Sequence, residues 1–297
     1  MKGRLGAAEW LLEAVSPCEA FFRGHRWPRA ADAVVYCFGQ SHSIMLRRAW
    51  KRGLYRSRDR ALRFEFLLSD NKEFPVDSVV TRSETGADVV CPQLERAFNE
   101  HDVFSGSRET WLLSMSHTNA YNMYGLFEPD PLFDFVHPAR PDLPVRPEAQ
   151  LLPYEAVRTK FVQAARGLDR LFKCLPRKNV TGIIHLEGPP PNPSREYCST
   201  SVDQVLLRGA LKRDKGVPVS PREFRMKLWK CQSDVHQQIC IDNGVTYVTP
   251  PQEALDEEGY LVPVAWHGAT HASAWYGALA LGKIESVIAN RRTASHA

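Results

Sequence analysis

A chain of 297 residues can bury a sizeable core, as one large domain or two small ones. Apolar and charged fractions of 43% and 24% are ordinary for a globular protein, a net charge of +4 is too small to imply nucleic acid, and no apolar run reaches the length of a bilayer span. Seven scattered cysteines without a CxxC pair favour free thiols in a reducing compartment over a disulfide framework or a structural zinc, so the cytoplasm is the expected location.

Residues 1–31 read as an N-terminal helical extension. Lys2 and Arg4 precede an amphipathic pattern (Trp10, Leu11, Leu12, Val15), and Glu9 and Glu13 interrupt it, so it makes a poor secretory leader. Residues 32–297 read as a single α/β domain. It opens on Ala33–Phe38, an apolar, β-branched and aromatic run that suits a parallel strand buried on both faces. Gly39 then permits a tight turn, and Ser41 stands where a helix over about Ser43–Arg52 begins. A serine there is either the N-cap of the helix or a nucleophile, with free N–H groups and the helix dipole favouring negative charge beside it.

Arg47, Arg48, Lys51, Arg52, Arg56, Arg58, Arg60 and Arg63 form the densest basic cluster. A helix leaving the carboxyl edge of a parallel sheet ends at the opposite edge, so the cluster is expected away from Ser41. It reads as a solvated surface, with an acidic partner or anionic membrane second and a substrate clamp third. A second strand is expected at Ala61–Leu68, a loop at Asn71–Asp88, a helix at Pro92–His101 and a third strand at Thr110–Ser116. The polar turn His117-Thr118-Asn119 follows. Residues 128–153 are proline-rich and aperiodic, a surface insertion and candidate lid or partner surface.

Tyr154–Cys174 has helical spacing, Val180–Leu186 is a fourth strand ending in Glu187 and Gly188, Pro221–Asp242 is a long helix, and Gly244–Thr249 is a fifth strand. Trp266-His267-Gly268-Ala269-Thr270-His271 then leads into a closing helix over Ala272–Asn290. Alternating strands and helices make a parallel sheet covered on both faces. Ligands of such sheets sit at the carboxyl ends of the strands. Ser41, Asn119, Glu187–Pro191 and His271 all fall on that edge.

Among the other histidines, His185 reads as a core residue within its strand, His236 as surface or packing, and His42 is expected to point away from the site. His267 and His271 have a zinc-like spacing, but Gly268 argues against a shared helical face and no HExxH is present, so no metal is expected. Neither a P-loop nor GxGxxG is present, so no nucleotide cofactor is expected.

The ordered set resembles the SGNH/GDSL hydrolase family over about residues 33–290. Gly39-Gln40-Ser41-His42 stands where the family has Gly-Asp-Ser, His117-Thr118-Asn119 where it has Gly-x-Asn, and His271 where its last block has histidine. The resemblance implies a three-layer α/β/α sandwich, flavodoxin-like with about five parallel strands, and metal-free hydrolysis of a small or carbohydrate ester, an acetyl ester included. Carried over, Ser41 is the nucleophile and His271 the base, with Ser41 N–H, the Asn119 amide and Gly86 N–H as oxyanion donors. Two departures stand out. The family's acid position is Gly268, leaving a Ser41–His271 dyad with His267 as a possible orienting neighbour and the 256–258 carboxylates as candidate replacements. A bulky His117 replaces a glycine and is expected to narrow the oxyanion site. Three functions follow: an esterase, a binding or regulatory module with weakened catalysis, and an acyltransferase using the same serine.

Overall fold

The run Ala33–Gly39 forms β1, and all seven of its residues are buried. It lies inside a sheet because it has no polar face to show water. The computed structural model describes residues 32–59, 61–67, 79–201 and 217–295; the N-terminal extension and Arg60 lie outside them. Around β1 stand β2 (Leu62–Phe66), β5 (Glu109–Met115), β8 (Gly182–Leu186) and β9 (Thr246–Val248), in the order β2-β1-β5-β8-β9. All four pairings are parallel. Gly39 registers against Met115, so the turns after β1 and β5 leave the sheet side by side.

Alternation along β1 divides the core. Ala33, Val35 and Cys37 face one layer, where α1 (Ser43–Lys51) and α8 (Ala274–Ser295) supply Met45, Leu46, Ala49, Tyr276, Leu281 and Ile284. Val34, Tyr36 and Phe38 face the other, where α2 (Pro92–Glu100) and α5 (Arg166–Cys174) supply Leu94, Phe98, Leu168 and Phe172. The result is a three-layer α/β/α sandwich on a five-stranded parallel sheet, as expected. Among the described residues no helix is long and apolar enough to cross a membrane.

Four expectations need correction. The stretch before Asp88 is not all loop: Val80–Arg82 (β3) and Asp88–Val90 (β4) pair as an antiparallel hairpin. Tyr154–Cys174 is two helices, α4 (Tyr154–Ala164) and α5, parted at Ala165, where ψ opens to 0°. The closing helix begins at Ala274, because Trp266–His267 (β10) and His271–Ala272 (β11) form a hairpin, turned by Gly268 at φ +65°. The 128–153 insertion is no free lid. It contributes the parallel pair Phe133–Asp134 (β6) and Gln150–Leu151 (β7) and packs on α7 (Arg222–Asp242).

That packing is held by a buried ion pair. Lys227 Nζ lies 2.5 Å from Asp134 Oδ1 and 3.0 Å from the Pro144 carbonyl, and both charged side chains are out of water. Asp134 also accepts from the N–H groups of Phe135 and Arg146. Lys227→Met would leave the buried carboxylate only the longer ion pair with Arg146, whose Nε lies 3.6 Å from Asp134 Oδ2, and the expected cost in urea unfolding is about 3 kcal/mol, the low end for breaking a buried pair. A loss below about 1 kcal/mol, the range of an exposed pair, would mean that the insertion is held by its apolar contacts instead.

Candidate active site

Two helices that start beside each other build the site. Ser41 stands two residues before α1 and His271 three residues before α8. The helices meet at Gly277, where a Cβ would come within 2.3 Å of the Met45 carbonyl oxygen. Only glycine allows that approach, and it brings the Ser41 turn and the His271 hairpin together. Gly39 does the same between strands: a Cβ there would lie 2.9 Å from the Met115 carbonyl carbon.

The Ser41 turn is braced from within. Ser43 Oγ donates to the Gln40 carbonyl at 2.8 Å, and Gln40 Oε1 accepts from the His117 N–H at 3.2 Å. Ser41 itself is half-buried, and its side chain makes no hydrogen bond among the described residues. The N-cap role considered for it is not observed: His42 is the cap residue of α1, without a side-chain cap bond.

Asn119 follows β5 and caps α3 (Ala120–Gly125). Its Oδ1 accepts from Asn122 Nδ2 at 2.6 Å, which leaves its own NH2 as the end of the amide turned away from Asn122. Gln232 on α7 grips both flanks of Asn119. It donates to the Thr118 carbonyl at 3.0 Å and accepts from the Tyr121 N–H at 2.9 Å. His117 does not narrow this site. Its φ of +62° turns the ring under the loop, where a Cβ on Gly167 would lie 2.5 Å from it. Burial pushes the His117 pKa down to about 4.

His271 lies opposite His267 across the hairpin. His271 Nδ1 is 3.0 Å from Thr270 Oγ1, so a hydroxyl of the preceding residue braces the ring. His267 Nε2 accepts from Arg48 Nη1 at 2.6 Å. Arg48 thus departs from the basic cluster's expected place and reaches back to the site. Two of the three 256–258 carboxylates are engaged elsewhere: Asp256 Oδ1 accepts from the Glu258 and Tyr260 N–H groups, and Glu258 pairs with Arg222 at 3.0 Å, while Glu257 is exposed. Gly86 is also set aside as an oxyanion donor. It sits in the exposed turn of the β3–β4 hairpin, where its N–H donates to the Ser83 carbonyl at 2.9 Å.

His42 is the largest departure from expectation. It turns inward, only 2% exposed, with Nδ1 2.8 Å from Thr118 Oγ1 and Nε2 3.0 Å from the Thr270 carbonyl oxygen. Its ring stands edge-on to His271 at 5.1 Å between centroids and an interplanar angle of 86°. Side chain and backbone thus bring the turns bearing Ser41, Asn119 and His271 into one frame. Ser41 and His271 are not hydrogen-bonded to each other among the described residues. In unliganded sites such bonds are often long and close only when substrate binds.

Beneath the frame lie groups whose charged forms burial disfavours. His185 Nε2 and His236 Nδ1 are 3.3 Å apart, and burial, with the neighbouring histidines, drives the His185 pKa down to about 3 and that of His236 well below its usual value. His236 is therefore packed core rather than surface. Glu187, at the end of β8, is 3% exposed and accepts from Ser233 Oγ; burial raises its pKa to about 7. Among the described residues no cluster of three or more His, Cys, Asp or Glu could hold a metal.

No protein-family model matches the chain, and no curated protein matches it. Solved structures of similar fold include a GDSL-like lipase from Bacteroides thetaiotaomicron VPI-5482, at 12% identity over 92% of this chain and 96% of that one, TM-score 0.38. Another is a carbohydrate acetylesterase from Sinorhizobium meliloti, at 11% identity over 87% and 99%, TM-score 0.39. A third is the periplasmic domain of a lipopolysaccharide acetyltransferase from Salmonella ser. Paratyphi A, at 12% identity over 92% and 89%, TM-score 0.41. At such identities and TM-scores the likeness assigns neither an activity nor a residue to this chain.

Proposed function

We propose that the protein is a serine ester hydrolase, with Ser41 as nucleophile and His271 as base, acting on a small or carbohydrate ester. The observation that supports it is the convergence of the Ser41, Asn119 and His271 turns through His42. Ser41 Oγ attacks the acyl carbonyl while His271 Nε2 takes its proton. The tetrahedral oxyanion is met by the Ser41 N–H at the open start of α1 and by the Asn119 NH2. Collapse releases the alkoxide, which leaves with the proton from His271. Water, activated by the same histidine, then cleaves the acyl-enzyme.

For Nε2 to accept a proton, Nδ1 must carry one, and Thr270 Oγ1 is placed to receive it. A neutral hydroxyl orients the ring but offers no charge to balance the imidazolium. In a serine protease, replacing the acid by an amide costs about 10⁴ in rate, so modest turnover is expected here. The same acyl-enzyme serves a transferase if a sugar hydroxyl replaces water, and competing alcohol acceptors distinguish the two by product. The alternative reading, a binding module, is favoured by Gly268, which has no side chain where the resembled family carries its acid. Fluorophosphonate labelling mapped by mass spectrometry tests the proposal: a label on Ser41 supports an activated serine, and its absence from the folded protein removes the esterase reading.

A further inference from the structure

His42 touches the chain neighbour of every residue assigned above. It follows Ser41 directly, its Nδ1 meets Thr118 beside Asn119, and its Nε2 meets the carbonyl of Thr270 beside His271. We propose that His42 is the positioning residue of the site, setting the Asn119 turn and the His271 hairpin in register with Ser41. The inference rests on the reading of Ser41 and His271 as nucleophile and base.

The chemistry of the imidazole suits this task. A carbonyl only accepts, so Nε2 carries its proton towards Thr270. In the neutral ring Nδ1 then accepts from the Thr118 hydroxyl. When the ring is protonated, Nδ1 donates to Thr118 Oγ1, and the hydroxyl proton has the Met115 carbonyl 3.2 Å away. Both ties therefore survive either charge state. His42 also acts on His271 twice, through the carbonyl of the preceding residue and through the edge-on ring contact. A misplacement of about 1 Å between reacting groups costs on the order of 10²-fold, so the register of the hairpin is worth holding with a buried side chain.

The variants His42→Gln and His42→Asn separate positioning from packing. Glutamine reaches as far as Nε2 and keeps a donor for the Thr270 carbonyl; asparagine reaches only as far as Nδ1 and keeps a partner for Thr118. Expected are a kcat within about fivefold of wild type for His42→Gln and a kcat about 100-fold lower, at unchanged KM, for His42→Asn. The ring-nitrogen NMR shifts of His271 should move in His42→Asn and hold in His42→Gln. Equal kcat in all three proteins overturns the proposal. So does an equal loss in both variants with an equal drop in Tm, which would leave His42 as packing only. The esterase reading fails separately, by a wild-type protein that neither turns over ester nor labels at Ser41. In that event the His271 shifts still decide whether His42 holds the hairpin: unchanged shifts in His42→Asn overturn it.

Discussion

Ser41→Ala is expected to lower ester turnover by about 10²-fold, what a serine–histidine pair without its acid still contributes, and to leave the fold intact. The loss is large because no other group among the assigned residues can form the acyl-enzyme. Asn119 and the helix N–H groups can still polarise a carbonyl, so a residual rate above water is expected. The fold should survive because the turn is braced by Ser43 and Gln40, whose bonds do not involve the Ser41 side chain. Turnover of p-nitrophenyl acetate by wild type and variant, with circular dichroism on both, measures the effect. With a hydroxyl on His271 Nδ1, the ratio between the two proteins is informative even where the absolute rate is small. Equal rates would shift the reading to a binding module.

Stability should fall steeply on acidification, by roughly 5 kcal/mol between pH 6.5 and 4.5. The sign follows from two opposed sets of groups. His117, His185 and His236 have folded pKa values pushed below 6.5, so the unfolded chain takes up three protons in this window that the fold refuses. Glu187 works the other way. Its folded value near 7 exceeds the unfolded 4.5, so the fold keeps one proton that the unfolded chain has released, and its contribution weakens as pH rises through the window. The balance is about two protons in favour of the unfolded state, each worth about 1.4 kcal/mol per pH unit. Urea unfolding from pH 4.5 to 8 measures it. Glu187→Gln removes the opposing proton and should steepen the slope by about half, while stabilising the protein by roughly 3 kcal/mol at pH 8. A flat profile in the wild type would mean that the histidines take up protons in the fold.

The sheet was legible because its strands carry the signal most directly. Ala33–Phe38 is apolar along its length and Thr110–Met115 is broken only by Thr110 and Ser114, as suits strands buried on both faces. The β3–β4 hairpin was not, since Thr81, Arg82 and Asp88 interrupt its apolar positions with polar residues that a loop would also carry. The break at Ala165 was hidden because the helical spacing from Phe161 to Leu168 continues across it. The β10–β11 hairpin is two residues wide, too short for any period to register. At the site, strand ends placed Ser41 after β1 and Asn119 after β5, as the structure has them, whereas His271 stands well beyond β9, in β11. The part of His42 was not legible, because its two partners lie 76 and 228 residues further along the chain. The failure of Gly86 has a related cause: a glycine in a tight turn gives no sign of whether its N–H faces a carbonyl or open space.

The grip of Gln232 on both flanks of Asn119 has a consequence for motion. Turns at the edge of a sheet ordinarily open locally at little free-energy cost, and their amides exchange quickly with solvent. Here the turn after β5 cannot open without releasing α7, which also bonds the β8 exit through Trp229 and the insertion through Lys227. The Tyr121 amide, held by Gln232 Oε1, should therefore exchange hydrogen for deuterium as slowly as amides of the central sheet, and Gln232→Ala should release it without comparably hastening exchange in β1.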